Sequence, residues 1–342
     1  MSVLSIFLTQ WKQMNGTTRL QSSVILFCAI AVALVPWSNP PLALGAGLAL
    51  ALFMGNPVLS ITKPLSKTIQ QYCIIGLGCG LNIYAVIAVS STGIGITIAL
   101  IGGTLLLGLL LAHVMHLRLR FGYLIAVGTS ICGASAMTAL APILRTDDDE
   151  FSIGLGIVFI LNACALILFP LLGSLLGMTQ EQFGMWSALA IHDTTSVVGA
   201  AQKFGTEALR IAVTIKLARA LWIIPVALLT AMFLSWQAQR TTDQHTLSAT
   251  RTRIDIPWFI LGFVIASLVR TFLPAWSGLP DDLVQEYASA ITTASKHGLL
   301  FVLFCVGANV SLTALRQVGT TPLLFAVILW CVVSVVSFML VR

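Results

Sequence analysis

Charge is scarce in this sequence: Asp, Glu, Lys and Arg make up 9% of 342 residues, against about a quarter in a soluble domain. With 58% hydrophobic residues and a mean hydropathy of +0.97, that scarcity excludes an ordinary water-soluble fold and points to a polytopic membrane protein. Basic runs are missing too. The net charge of +6 therefore reads as lysines and arginines in cytoplasmic loops rather than a nucleic-acid surface. No CxxC pair occurs, and the cysteines stand in apolar stretches, which speaks against structural disulfides and zinc. There is no GxxxxGK[ST] run to hold ATP, no HExxH helix and no pair of intramembrane aspartates. Primary active transport and membrane proteolysis are disfavoured accordingly, and no cofactor is implied. No AxA-like cleavage site follows the start promptly, so the first span reads as uncleaved.

What is present is a succession of apolar runs. They predict an all-α membrane protein of about 11 transmembrane helices, at roughly 21–37, 40–54, 68–90, 93–115, 120–144, 150–176, 183–203, 206–236, 256–274, 285–312 and 320–341. With the amino terminus inside, Lys12, Arg19, Lys63, Lys67, Arg118, Arg120, Arg240, Arg251, Arg253 and Arg316 are cytoplasmic. Arg145, Lys203, Arg210, Arg270 and Arg342 are outside. That bias of about two to one sets the carboxyl terminus outside. The acidic run Asp147 to Glu150 then falls in an external turn.

The sharpest feature is a pair of cations where hydrocarbon should be. Lys216 and Arg219 lie within the apolar run 211–234. Lys216 sits roughly 13 Å below Glu207 at about 1.5 Å per residue, near the bilayer midplane. An i, i+3 spacing puts both on one helix face. A cation at that depth costs several kcal/mol. It either snorkels to an interface, joins a structural ion pair, or lines an anion path.

Two spans carry small and polar residues at their centres. The fifth reads VGTSICGASAMTALAP (127–142), and the tenth reads LFVLFCVGANVSLTALRQVG (300–319). Gly133-Ala134-Ser135 aligns with Gly307-Ala308-Asn309, and a TAL triplet follows each. A weaker echo places Lys67 and Lys216 each seven residues before an Ile-Ile pair. Chance recurrence and packing explain either echo alone. Together they predict two inverted five-helix repeats with discontinuous spans 5 and 10: an added segment 1–38, a first repeat 39–178 and a second 179–342. Broken helices expose backbone N–H groups at midplane, which suit an anion. Ser130, Ser135, Thr129, Thr138, Asn309 and Ser311 surround the expected breaks.

The seventh span is polar at its heart, ALAIHDTTSVVGAAQKFG (188–205). His192 suits proton transfer. Asp193 can pair with Lys216 or Arg219, or carry a coupling proton, and both have structural alternatives. Asn82 and Asn162 read as isolated interhelix hydrogen-bonding residues.

Three motifs, SICGASA (130–136), AIHDTTSVVGA (190–200) and KLARALWIIP (216–225), resemble the YeiH-type sulfate-exporter family of bacterial inner-membrane proteins. The resemblance covers residue 40 to the end in the same order. It implies a relative of the bile-acid sodium symporter superfold, with two inverted five-helix repeats and crossed discontinuous helices. It also implies sulfate or organosulfonate export. The sequence departs from the family pattern at Lys67-Thr-Ile-Gln-Gln, which lacks an arginine, and at Thr194-Thr195-Ser196.

The expectation is a secondary transporter for a small inorganic or organic anion. Ser130, Cys132, Gly133, Ser135, Gly307 and Asn309 would bind the substrate, with Lys216 and Arg219 balancing its charge. His192 and Asp193 would couple to H⁺, with Na⁺ coupling and homodimerisation left open. Rival readings are a cation–proton exchanger using Asp193, an anion-sensing receptor, and an enzyme pairing Ser130 with His192.

Overall fold

The computed structural model describes residues 16–35, 40–54, 56, 59–240, 258–277, 280–309 and 319–342. Among them are fourteen α-helices and no strand: α1 Gly16–Leu34, α2 Pro40–Met54, α3 Leu59–Gly78, α4 Ile83–Val114, α5 Leu119–Ser130, α6 Ala134–Leu144, α7 Asp148–Leu175, α8 Gln180–Ala190, α9 Thr194–Phe204, α10 Thr206–Ala220, α11 Ile223–Arg240, α12 Trp258–Ser277, α13 Asp281–Ala308 and α14 Thr320–Val341. Six described segments are long and apolar enough to cross a bilayer, at 94–114, 149–175, 206–236, 258–276, 281–308 and 320–341. Large apolar side chains such as Leu106, Leu175, Trp276 and Met339 stay exposed on them, as a hydrocarbon solvent permits.

The eleven expected spans are corrected in three places. The third and fourth meet at 79–82, not near 91. Helix α3 ends at Gly78, and Asn82 starts α4: its side chain accepts from the Tyr84 N–H at 2.9 Å, satisfying one of the orphan donors at the start of α4. Asn82 is thus a cap, not an interhelix bridge, and α4 runs 32 residues through the Ser-Ser-Thr-Gly stretch that reads as a break.

The fifth and seventh spans are not crossings. Each is a helical hairpin that returns to the end it came from. Arg118 before α5 pairs with Asp147 and Glu150 after α6, both at 3.1 Å. Gly128 of α5 faces the Met137 side chain of α6. The first hairpin (α5–α6) therefore opens at the amino-terminal end of α7, and the expected placement of Arg118 and the acidic run on opposite faces is overturned. In the second hairpin (α8–α9), Phe183 stacks on Phe204 at 3.9 Å between ring centroids. Gln180 accepts from the Glu207 N–H at 3.0 Å, and Gly173 near the end of α7 packs on both rings. This hairpin opens at the carboxyl-terminal end of α7. The helices thus fold back rather than cross in line.

Because α7 has 28 residues, it spans about 42 Å. Val158 and Asn162, near its middle, meet the tips of both hairpins: Gly133 faces Val158, and the Asp193 N–H bonds Asn162 Oδ1 at 3.0 Å. Two hairpins entering from opposite ends meet halfway along one crossing helix.

The tenth span behaves otherwise. Helix α13 is unbroken to Ala308, and residues 310–318, with Ser311, lie outside the described residues. The echo at Lys67 does not extend to environment: Lys67 is exposed, while Lys216 is buried. After Ala220 the eighth span is interrupted by a turn at Leu221–Trp222. Pro225 accounts for it, since it lacks the N–H that would bond the Leu221 carbonyl and its ring clashes there.

Candidate functional site

Each hairpin tip leaves the carboxyl-terminal carbonyls of its inbound helix without intrahelical partners, a serious cost in a membrane interior. Lys216 and Arg219, 0% and 1% exposed, meet that need. Lys216 Nζ donates to the carbonyls of Ile191 at 2.6 Å, Ile131 at 3.2 Å and Ala188 at 3.4 Å. Arg219 Nε donates to Ser130 O at 2.7 Å, and its Nη1 to Ala188 O at 3.2 Å and to Leu189 O. Trp330 Nε1 adds a bond to Ala190 O at 3.0 Å. One helical face of α10 therefore holds both tips, and its positive charge lies against two negative helix ends. Neither cation snorkels.

The outbound helices start differently. Asp193 caps α9, accepting from the Thr195 N–H at 2.9 Å. It forms no ion pair with Lys216 or Arg219, so the expected pairing is corrected. His192 and Asp193 lie in the irregular tip, not on a helix. Helix α6 follows Gly133, which has no side chain to cap it. Gly133 has φ +65°, ψ −125°, a conformation open chiefly to glycine. A Cβ there would stand 3.2 Å from Val158 Cγ1 and 3.3 Å from His192 Cβ. Backbone conformation and space both demand glycine at the contact between tips.

His192 is buried against the first tip, with Nε2 3.2 Å from Thr129 Oγ1. That hydroxyl already donates to Ile125 O at 3.0 Å. It must therefore accept from His192, which fixes the Nε2–H tautomer of a neutral ring and leaves Nδ1 as an acceptor. Nδ1 has no partner. Neither do Asn162 Nδ2, Thr195 Oγ1 and Arg219 Nη2, all buried. Buried polar atoms are nearly always paired; four unpaired ones around a single junction mark a place built for something else to bond. Two of the four are obligate donors, and the Thr195 hydroxyl can donate as well.

Of the expected site residues, Ser130, Cys132, Gly133, Lys216, Arg219, His192 and Asp193 converge on this junction. Ser130 Oγ bonds within its own helix, to Val127 O at 3.1 Å. Ser135 is exposed, as is Thr138. Gly307 and Asn309 stand apart. Gly307 presses its backbone on Leu44 and Leu48 of α2. Asn309 Oδ1 accepts from Asn56 Nδ2 at 2.9 Å and Thr62 Oγ1 at 2.5 Å. Asn162 and Thr195 are legible in the sequence as polar residues in apolar spans, but nothing there gives their proximity.

The family described as conserved hypothetical protein 698 matches residues 24–326. A UPF0324 membrane protein of Bacteroides thetaiotaomicron is 42% identical over 299 residues, covering 87% of this chain and 84% of its own length. A UPF0324 membrane protein of Bdellovibrio bacteriovorus is 40% identical over 306 residues, covering 90% of each. One of Vibrio parahaemolyticus is 41% identical over 313 residues, covering 92% and 94%. No solved structure matches.

Proposed function

The chain belongs to the conserved hypothetical protein 698 family of UPF0324 membrane proteins, and from that premise we propose that it is a secondary transporter of a small anion in the bacterial inner membrane, working by alternating access. Sulfate-like and organosulfonate anions lead as substrates. The observation that carries this reading is the group of unpaired buried atoms at the junction, most of them able to donate. Opposed broken elements meeting at mid-depth are a known arrangement of transporter sites, since their freed backbone groups need a polar cavity. Lys216 acts as a positioning residue, because all three of its N–H groups are engaged. Arg219 keeps one nitrogen for the substrate. His192 Nδ1 is the group that would take a coupling proton.

The same proposal takes the inverted repeats in a narrower form: hairpin plus crossing segment at 119–175, and its inverted counterpart at 180–240. The wider division at 39–178 and 179–342 belongs to the same proposal. So does the orientation, with the amino terminus inside and the carboxyl terminus outside. The two hairpins cancel in the count of crossings, and Arg145 joins the inside set, which strengthens the positive-inside bias. The cation–proton exchanger is the weaker reading, because the carboxylate it would use is engaged in capping α9.

Liposomes preloaded with unlabelled anion should take up labelled sulfate or a labelled sulfonate by saturable counterflow. Asn162→Asp keeps the acceptor for the Asp193 N–H but replaces the free donor with a negative charge. It should cut counterflow at least tenfold while leaving the protein monodisperse in detergent. Absence of counterflow for every anion tried, with folded protein, would reject the transporter reading. Anion binding without flux would favour the sensing receptor.

A further inference from the structure

The four unpartnered atoms at the junction are not of one kind. Asn162 Nδ2 and Arg219 Nη2 can only donate, Thr195 Oγ1 can do either, and His192 Nδ1 can only accept while its ring is neutral. All four side chains are at most 3% exposed. Bonds already made gather them. The Asp193 N–H sits on Asn162 Oδ1 at 3.0 Å, and the Asp193 carboxylate holds the Thr195 N–H at 2.9 Å, so both groups flank the residue next to His192. Arg219 Nε bonds Ser130 O at 2.7 Å, and Ser130 is the neighbour of Thr129, which His192 bonds.

A fully ionised oxyanion offers only acceptors. Against the neutral ring it would set an oxygen lone pair facing the Nδ1 lone pair, with no hydrogen between them. One proton removes that mismatch, because an imidazolium donates from both nitrogens: Nε2–H keeps Thr129, and Nδ1–H is left for the anion. The proton alone is no better placed. Lys216 and Arg219 act on His192 from α10. Asp193, beside it in the chain, has its carboxylate engaged at the start of α9, and Cys132 of the first tip is a buried thiol. The other contacts to the ring, Thr129 of α5 and Trp330 of α14, bring no charge. A third positive charge in such an interior is costly unless an anion accompanies it. Each ligand supplies what the other lacks, and linkage makes the effect mutual: an anion that favours the proton is favoured by it equally.

Resting on the transporter reading, we propose that the anion and one proton occupy this junction together and cross together, which makes the protein a proton–anion symporter rather than an exchanger of one for the other. His192 Nδ1 takes the proton from water on the side to which the junction is open and returns it to water on the other. Where the outside is the acid side, the anion is drawn in. That is the reverse of the export that the resemblance to the sulfate-exporter family implies.

The test uses proteoliposomes with the membrane potential held at zero by potassium and valinomycin. Labelled methanesulfonate and, separately, labelled sulfate are the probes; both stay ionised near neutral pH, so neither crosses as a neutral acid. With the outside acid by one pH unit, a transported probe should accumulate inside up to roughly tenfold, since a unit is worth about 1.36 kcal/mol per proton carried. Accumulation with the inside acid instead would overturn the inference, because it reports exchange of anion for proton. So would equal uptake under both gradients. In either case anion transport stands, whereas absence of any anion counterflow removes both readings together. His192→Gln carries a donor but takes up no proton. It should lose gradient-driven accumulation, and its remaining counterflow should no longer vary with pH. Accumulation that survives in this variant takes the proton away from His192 and sinks the proposal. If the variant does not fold, the direction measured in the unaltered protein decides the matter.

Discussion

Replacing both buried cations should destabilise the protein by more than the sum of the single replacements. Lys216→Met leaves the Ile131 and Ile191 carbonyls without their donor, and Arg219→Leu does the same to Ser130 and Leu189. At about 1–3 kcal/mol for each orphaned buried acceptor, either change costs roughly 2–6 kcal/mol. The Ala188 carbonyl is shared by both side chains, so it loses its last donor only in the double variant, adding about 1–3 kcal/mol. Mutual repulsion of the two cations acts in the same direction. Each single replacement relieves it, but the double can relieve it only once. Thermal unfolding in detergent for the four members of the cycle measures the coupling. Strict additivity would mean that the two side chains do not hold the tips through a common carbonyl.

Gly133→Ala should leave insertion intact and remove most transport. The substitution forces a side chain into φ +65°, at about 1–3 kcal/mol. It also adds a methyl at 3.2–3.3 Å from Val158 and His192, for about 1–3 kcal/mol of overpacking. Even a total of about 2 kcal/mol shifts the population of closed tips roughly 30-fold. Gly102→Ala is the matched control, since nothing lies within 4 Å of its new Cβ and alanine favours the helix by up to about 1 kcal/mol. Counterflow rates for the two variants at equal reconstituted protein decide the matter. Wild-type rates in Gly133→Ala would mean that contact between the tips is not part of the transport cycle.

Much of this junction is legible in the sequence, because its residues violate the rule that a membrane interior is apolar. The apolar run around Lys216 and Arg219 is enough to place both cations at depth, and the small polar stretch at 127–136 marks the first break, whereas 190–196 reads as polar without announcing one. Direction is not legible. Residues 119–144 would extend about 39 Å if straight, so they pass for a crossing, and periodicity does not record that a chain turns back. The deciding contact joins Arg118 to Asp147 and Glu150, at a separation no local pattern encodes. The echo between Gly133 and Gly307 misleads for a related reason. Both glycines permit close approach, one at a hairpin tip and the other at a helix–helix contact, and sequence gives the same letter for each. Asp193 illustrates the opposite case: a capping residue before Thr194-Thr195-Ser196 is a local signal, but a carboxylate so near two membrane cations suits an ion pair equally well on paper.

The two hairpins are fastened at their open ends by different physics. The first is clasped by Arg118 with Asp147 and Glu150, where the arginine and Asp147 side chains are 75% and 70% exposed. The second is closed by the stacked Phe183 and Phe204 rings and by Gln180 on the backbone of α10. Salt screens exposed ions within about 10 Å at 0.1 M and leaves ring stacking untouched. Added electrolyte should therefore loosen the open end of the first hairpin more than that of the second, where the rings stay stacked whatever the salt.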